Sequence, residues 1–172
     1  MRRSFGAVLV LAVGLGVPPK GAAQLSGVEN GEWRYLGGDA GHTRSAPGLT
    51  QINASNFSDL QVAWTWRGDN FGPNVEYTVR STPVFVDGAL YTGVGPRRQV
   101  VAIDPDTGET IWAFREPETI RFLRSPRRSY GKGVAYAEVN GRGVIYITTP
   151  GFFLWVAFAN HGHVQGGLTS SS

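Results

Sequence analysis

The residues with the clearest chemical potential lie between 116 and 133. This stretch begins with two acids, Glu116 and Glu118, and then carries five basic side chains: Arg121, Arg124, Arg127, Arg128 and Lys132. Guanidinium groups form paired hydrogen bonds with carboxylates, so such a stretch can bind a polycarboxylate anion. The alternative is an exposed basic loop that only connects two structural elements, and the residue types alone favour this alternative.

Metal and thiol chemistry have little support. The chain has no cysteine, which excludes thiolate ligands, disulfides and thiol nucleophiles. His161 and His163 could place two imidazoles on one face of a strand, but their Gly-rich and Ser-rich surroundings favour a flexible tail over 159–172. We therefore predict no metal ligand and no catalytic residue in this chain.

The first 23 residues are predicted to be a signal peptide. Arg2 and Arg3 precede a short apolar run, and small residues precede a cleavage site placed after Ala23. The whole chain has a formal net charge of +3, with 16 Lys and Arg against 13 Asp and Glu. Three of these basic residues lie in the signal and no acid precedes Glu29, so the remainder is formally neutral. Export is predicted, whereas nucleic-acid binding loses its support and no segment is long enough to span a membrane.

The stretch 99–114 predicts a β-hairpin. Alternating apolar residues over 99–103 indicate a strand, and β-branched and aromatic residues over 110–114 indicate a second one. Between them, Asp104-Pro-Asp-Thr-Gly108 has the residues of a tight turn, since Pro105 fixes φ and Gly108 permits a positive φ. Within this hairpin five residues have a defined spacing: Ala102, Asp104, Thr107, Gly108 and Trp112.

That spacing resembles the tryptophan-docking motif of the quinoprotein alcohol and glucose dehydrogenases, which are β-propellers that depend on pyrroloquinoline quinone (PQQ). Other stretches agree with this resemblance: Gly37-Gly38-Asp39, Thr43-Arg44, Leu49-Thr50-Gln51-Ile52, Leu60-Gln-Val-Ala-Trp-Thr65 and Lys132-Gly-Val-Ala-Tyr136. The resemblance covers about 31–156 and implies that the docking Trp stacks between blades, with its indole N–H donating to a backbone acceptor.

The fold class is accordingly predicted as all-β, a partial propeller of four-stranded antiparallel blades that is open rather than closed. The lead-in segment 24–59 should contain one short helical turn, N-capped by Asn53 or Ser55. The propeller region 60–156 should contain a complete first blade over 60–114, including a strand over 60–66. It should also contain an incomplete second blade over 134–158 that lacks its fourth strand. A two-sheet sandwich is the competing architecture.

For the family, the resemblance implies PQQ and calcium as cofactors, and a cytochrome or a quinone as electron acceptor of the full-length enzymes. In this chain it assigns one candidate cofactor-binding residue, Lys132, where relatives have an arginine near the quinone. A lysine keeps the charge but loses the planar fork. Arg80 stands where many catalytic relatives have a glutamate, and the vicinal cysteines of some members are absent. Both departures argue against standard quinone binding by this chain.

Three interpretations remain open. The chain is the amino-terminal portion of an exported dehydrogenase of alcohols or sugars, inactive alone because later blades supply the calcium ligands and the catalytic Asp. Alternatively it is a non-catalytic propeller scaffold that associates through its open blade edges. A third interpretation is a truncated gene product without a function of its own.

Overall fold

In a computed structural model, the described residues are 26–71, 80–95, 97–126, 133–151, 154–159 and 164–168. Their strands form two four-stranded antiparallel sheets, each with its strands in chain order. The first sheet contains β1 (Val84–Val86), β2 (Ala89–Val94), β3 (Gln99–Ile103) and β4 (Thr110–Phe114). The second contains β5 (Ala135–Val139), β6 (Arg142–Thr148), β7 (Leu154–Phe158) and β8 (Val164–Leu168). A short helix, α1 (Ile120–Arg124), lies between the sheets in sequence. This is the predicted all-β, propeller-type architecture.

Each sheet begins with a two-residue hairpin turn. Asp87 and Gly88 have φ angles of 50° and 74°, and Asn140 and Gly141 have 51° and 72°. Two successive positive φ angles define the type I′ turn, whose twist matches that of the flanking strands. The turns fix the register, with Val86 paired to Ala89 in the first sheet and Val139 paired to Arg142 in the second. Asp-Gly and Asn-Gly are the residue pairs that favour this turn type, because both positions must adopt a positive φ.

The core lies between the two sheets. Alternate residues of the first sheet contribute Val84, Val86, Tyr91, Val100 and Ala102, because every second side chain of a strand points to the same face. From the second sheet, Ile145, Ile147 and Ala159 pack against them. Trp112, Phe114, Val134 and Tyr136 are partly buried around this cluster.

One backbone carbonyl joins the sheets within this core. Ala159 lies directly after β7, and its oxygen accepts hydrogen bonds from the Tyr91 hydroxyl at 3.0 Å and from Trp112 Nε1 at 3.2 Å. The Tyr91 and Trp112 rings contact each other, with centroids 5.9 Å apart. Burial raises the pKa of Tyr91 to about 12, with a smaller contribution from Asp87. Tyr91 is therefore a permanent donor at ordinary pH, and Trp112 makes a direct contact between the two sheets.

The lead-in segment packs on the outer edge of β1. Trp33 and Phe85 exchange two backbone hydrogen bonds, of 2.7 and 2.9 Å. Gly38 has a φ of 85°, and a Cβ added there would lie 3.0 Å from the Trp33 ring. Asp39 is fully buried and accepts hydrogen bonds from the Thr43 hydroxyl and from the Thr43 N–H. Burial raises the pKa of Asp39, but these hydrogen bonds outweigh it and leave the pKa below its usual value.

The predicted helical turn exists as a 3₁₀ turn over Phe57–Asp59. Its N-cap residue is Asn56, which makes no capping side-chain bond, so the predicted cap at Asn53 or Ser55 is wrong. Asn53 instead accepts hydrogen bonds from the Ser55 N–H and hydroxyl. This local bonding forms a turn before the helical residues begin.

Two boundaries differ from the prediction. Residues 60–66 form no strand, so the four strands of the first sheet run from 84 to 114. A strand needs a neighbouring backbone, and the backbone of 61–67 makes no hydrogen bond among the described residues. The second sheet has the fourth strand that was predicted to be missing: β8 pairs with β7 through Leu154 and Leu168 and through Ala157 and Val164. Part of the predicted flexible tail over 159–172 is therefore a strand.

We predict that Trp112→Phe lowers the free energy of unfolding by about 1–2 kcal/mol, because it removes the bond to Ala159 and part of a packed ring. Chemical denaturation would measure the change. Ile111→Val is the matched control, since the neighbouring Ile111 is 54% exposed on the other face of β4 and should shift stability by less than about 0.5 kcal/mol. Equal effects of the two substitutions would contradict the role given to the indole.

Candidate functional site

The turn between β3 and β4 is organised by the Asp104 carboxylate. Its Oδ1 accepts hydrogen bonds from the N–H groups of Asp106 and Thr107, both at 2.9 Å. The Thr107 hydroxyl in turn accepts from the Glu109 N–H at 3.2 Å. Gly108 has a φ of 75°, and its N–H donates to the Asp104 carbonyl at 2.9 Å. The hydrogen bonds from Thr107 and then Asp106 hold the pKa of Asp104 below its usual range.

A second tryptophan packs on this turn. A Cβ added at Gly108 would lie 2.6 Å from the Trp64 ring, and Trp64 Nε1 donates to the Pro105 carbonyl at 2.8 Å. Trp66 makes a similar contact, since its Nε1 donates a hydrogen bond to the Thr110 hydroxyl at 3.0 Å. The motif thus has two separate contacts: its turn receives Trp64, whereas its own Trp112 reaches the second sheet. The sequence analysis did not identify Trp64 as a docking residue. The available signal was that Trp64 and Trp66 lie two positions apart, which places both indoles on one face of an extended segment.

The basic stretch 116–133 follows β4 and begins at the same end of the first sheet as the turn between β2 and β3. Arg97 in that turn forms a salt bridge with Glu118 and lies 4.8 Å from the centroid of the Phe122 ring. Thr119 caps α1, because its hydroxyl accepts from the Phe122 N–H at 3.2 Å. The first half of the stretch is therefore packed against the first sheet rather than extended into solvent.

Arg98 connects the same turn to the second sheet. Its side chain is buried, and its Nη1 donates to the Thr148 carbonyl at 3.1 Å. Glu116 makes a parallel connection, since the Gly151 N–H donates to its Oε2 at 3.4 Å. Glu116 is only 2% exposed, and within the described part of the chain its Oε1 has no hydrogen-bond partner. The residues after β4 and after β6 are thus held together at one end of the two sheets.

Lys132, the predicted cofactor-binding residue, lies outside the described residues. The following residue, Gly133, is described, and a Cβ added there would lie 3.8 Å from the Thr82 nitrogen. Arg80, two residues before Thr82, is exposed. Gly133 therefore lies close to Thr82, which follows Arg80 by two residues.

The described residues fit only part of a PQQ site. Arg80 is the one cation within two residues of Thr82 in the sequence, and PQQ carries three carboxylates. The Ser81 hydroxyl is already 2.9 Å from the Thr92 hydroxyl. In the described part of the chain no group of three His, Asp or Glu residues could hold a metal ion, and no helix is long and apolar enough to cross a membrane. His161 and His163 lie outside that part.

Comparison with known proteins identifies the family. Residues 33–168 match the family model of PQQ-dependent proteins described as "Glucose/ethanol/alcohol dehydrogenase, beta-propeller domain". The chain belongs to this family. The match covers both sheets and the docking motif, and it confirms the resemblance that the motif carried.

Individual relatives agree with this assignment. The chain is 34% identical over 125 residues to quinoprotein glucose dehydrogenase A of Acinetobacter calcoaceticus, a match that covers 71% of this chain and 15% of that protein. It is 36% identical over 116 residues to quinohemoprotein alcohol dehydrogenase ADH-IIG of Pseudomonas putida, covering 67% and 14%. The chain therefore spans about a seventh of the length of these two relatives.

Solved structures show the same fold. The crystal structure of quinohemoprotein alcohol dehydrogenase from Comamonas testosteroni superimposes with a TM-score of 0.61 and 29% identity, over 80% of this chain and 19% of that one. A europium-containing methanol dehydrogenase superimposes with a TM-score of 0.63 and 21% identity, over 81% and 23%. The two sheets are thus propeller blades.

We predict that Asp104→Asn destabilises the chain most at neutral pH. A carboxyl with a lowered folded-state pKa contributes stability above its unfolded pKa, and this contribution is lost as the pH falls through the folded value. The difference between the two proteins should therefore shrink below about pH 4. Denaturation titrations near pH 7 and about pH 3 would measure it.

Asp106→Asn provides the control for this titration. Its carboxyl lies in the same turn, but both backbone bonds described above go to Asp104. A pH-independent difference between Asp104→Asn and the parent chain would contradict the role of the charged acceptor.

Proposed function

We propose that this chain is the amino-terminal portion of an exported PQQ-dependent dehydrogenase of alcohols or sugars, and that it does not turn over alone. The observation that carries the proposal is the family match over residues 33–168, within a chain that spans about a seventh of its relatives. The signal-like residues 1–23 support export to the periplasm or beyond.

In such an enzyme, bound PQQ supplies the oxidant that accepts the electrons of the substrate, with calcium at the same site. The contribution of this chain is structural. Arg98 and Glu116 tie the first blade to the second, and Arg97 holds the start of the basic stretch against the first blade. This arrangement supports the placement of Lys132 as a cation near a quinone oxygen, where it would stabilise developing negative charge.

Arg80 changes the charge expected at the cofactor position proposed for Lys132. Where a relative's glutamate would add a negative charge, this chain adds a positive one. Together with Lys132 it favours an anionic ligand but departs from the family pattern. We therefore assign no catalytic residue and no metal ligand to this chain, and place the base and the calcium ligands in later blades of a longer protein.

The expected outcome of a direct assay is no turnover. Purified chain, supplied with PQQ and calcium, should not reduce a dye with ethanol or glucose above the rate of free PQQ. A quinohemoprotein alcohol dehydrogenase reconstituted in the same way is the positive control. Substrate-dependent dye reduction by the chain alone would refute the proposal.

A second candidate function is a non-catalytic scaffold that associates with another chain. The observation that favours it is a set of large apolar side chains left exposed before the first sheet: Leu49, Ile52, Phe57, Leu60 and Val62. Exposed apolar surface of this kind is typical of an interaction site.

The third interpretation, a truncated gene product, has its own deciding observation. In the family, the second blade would continue with an Ala-x-Asp, Thr-Gly and Trp motif, which does not follow Phe158 here. Translation of the coding DNA around codon 156 in all frames would show whether this motif reappears. Its reappearance in another frame would identify the residues after that point as a frameshift product.

A further inference from the structure

Two charged side chains of the lead-in segment, Glu32 and Arg34, flank the residue that pairs with the first sheet. Trp33, between them, exchanges its two backbone hydrogen bonds with Phe85 of β1. Glu32 has extended backbone angles, with φ −73° and ψ 165°, and alternate residues of an extended segment point to the same side. Glu32 and Arg34 therefore share one side of the segment, where they form a salt bridge with each other.

Glu32 is bound to the hairpin turn of the first sheet. Its Oε1 accepts a hydrogen bond from the Asp87 N–H at 3.2 Å, while its Oε2 accepts from Nε of Arg34. The Glu32 side chain is 13% exposed, against 32% for Arg34. Because water competes less at a partly buried carboxylate, such a group binds its hydrogen-bonded partner more strongly than an exposed one does. Glu32 thus fixes the direction of the Arg34 side chain.

The Arg34 guanidinium reaches the second sheet. Its Cζ lies 5.6 Å from the centroid of the Tyr136 ring in β5, which is within the range of a cation–π interaction. Tyr136 in turn packs against the core cluster between the sheets. Hydrogen bonding to Glu32 is the main cause that raises the pKa of Arg34, and Tyr136 and Asp87 raise it further. Both sheets therefore stabilise the positive charge of this lead-in residue.

A glycine of the second sheet makes room for this contact. A Cβ added at Gly143 would lie 3.0 Å from Cε2 of Tyr136 and 3.2 Å from Oδ2 of Asp87. Gly143 lies just after the hairpin turn of the second sheet, and Asp87 belongs to the hairpin turn of the first. Tyr136 and Asp87 thus meet where the two hairpin turns approach each other, next to Arg34.

This contact lies at the opposite end of the first sheet from Arg98 and Glu116. β1 and β3 run in the same direction, because each is antiparallel to β2. Asp87 follows β1 whereas Arg98 precedes β3, so these two residues lie at opposite ends of the sheet. The two sheets therefore have a separate polar connection at each end.

We propose that the segment 32–34 is a strap that holds the second blade against the first at their hairpin-turn end. Trp33 and Glu32 attach the strap to the first blade, and Arg34 carries the attachment to Tyr136 of the second. All of its contacts are made within this chain, so the strap acts without any later blade. The stability of the second blade then depends on residues close to the start of the predicted mature chain.

The strap is independent of the proposed dehydrogenase function, because none of its contacts involves PQQ or calcium. Turnover by the chain would refute that function and leave the strap unaffected. Conversely, failure of the strap in the experiments below would leave the family assignment and the absence of turnover unchanged.

Hydrogen exchange in the full chain tests the strap. Arg34→Met keeps an apolar stem of similar length and removes the guanidinium, so exchange of the β5 and β6 amides should accelerate about fivefold. Exchange of the β2 and β3 amides should change by less than about twofold. Arg67→Met is the matched control, since it removes a guanidinium that pairs with Asp69 and is 75% exposed. This control should leave exchange in both sheets unchanged.

A double-mutant cycle tests whether Arg34 acts through the Tyr136 ring. Tyr136→Leu removes the aromatic face and keeps an apolar side chain against the core. Together with Arg34→Met, it should shift the unfolding equilibrium about fivefold less than the product of the two separate shifts. The shifts of Arg67→Met and Tyr136→Leu should simply multiply. Arg34→Lys keeps the charge without the planar face, so its exchange rates should be intermediate. The exchange experiment stands without Tyr136→Leu if that variant does not fold.

Three results would overturn the proposal. Faster exchange confined to the lead-in amides, such as those of 34 and 40, would show that Arg34 supports only its own segment, because their hydrogen bonds stay within it. Equal acceleration in both sheets would show a general loss of stability in place of a connection between blades. Purely multiplicative effects of Arg34→Met and Tyr136→Leu would show that the guanidinium does not act through the ring.

Discussion

The contact on which the fold depends is the Ala159 carbonyl, which accepts one hydrogen bond from Tyr91 and one from Trp112. Burial of a carbonyl is costly unless it is bonded, and here both donors come from the facing sheet. The bonds therefore hold only one relative position of the two sheets. Apolar packing of Val84, Val100 and Ile145 supplies the attraction, and the shared carbonyl supplies the alignment.

At one end of the two sheets, the polar residues Arg98 and Glu116 also connect them, but their hydrogen bonding is less complete than that of the Ala159 carbonyl. Arg98 holds a φ of 51°, an unusual backbone conformation for a long side chain, and its guanidinium bonds the second sheet. Glu116 reaches that sheet as well but leaves one oxygen without a partner among the described residues. Such incompletely bonded buried groups are more typical of functional regions than of the packed core. The loop that precedes Lys132 starts from this end.

Local turn chemistry was predictable from the sequence because it depends on neighbouring residues. Asp87-Gly88, Asn140-Gly141 and Asp104–Gly108 each fold as their residue types require. The pairing of strands that are distant in the sequence was harder to predict. The sequence around β8 lacks the docking motif, yet its backbone still pairs with β7, since a strand needs no specific side chains to form its ladder. For residues 60–66 the error was the reverse: their alternating pattern predicted a strand, but no neighbouring backbone among the described residues pairs with them.

The site was predictable to a smaller extent than the fold. The docking residues could be recognised from spacing, but spacing does not show that the Gly108 turn receives Trp64 while Trp112 bonds Ala159. Each tryptophan thus contacts the element that follows its own in the chain. This head-to-tail rule makes the stability of one blade depend on its neighbours, as in other repeat architectures. A motif of this kind therefore identifies the propeller family to which a blade belongs, but it does not constrain residues outside it, such as Arg80.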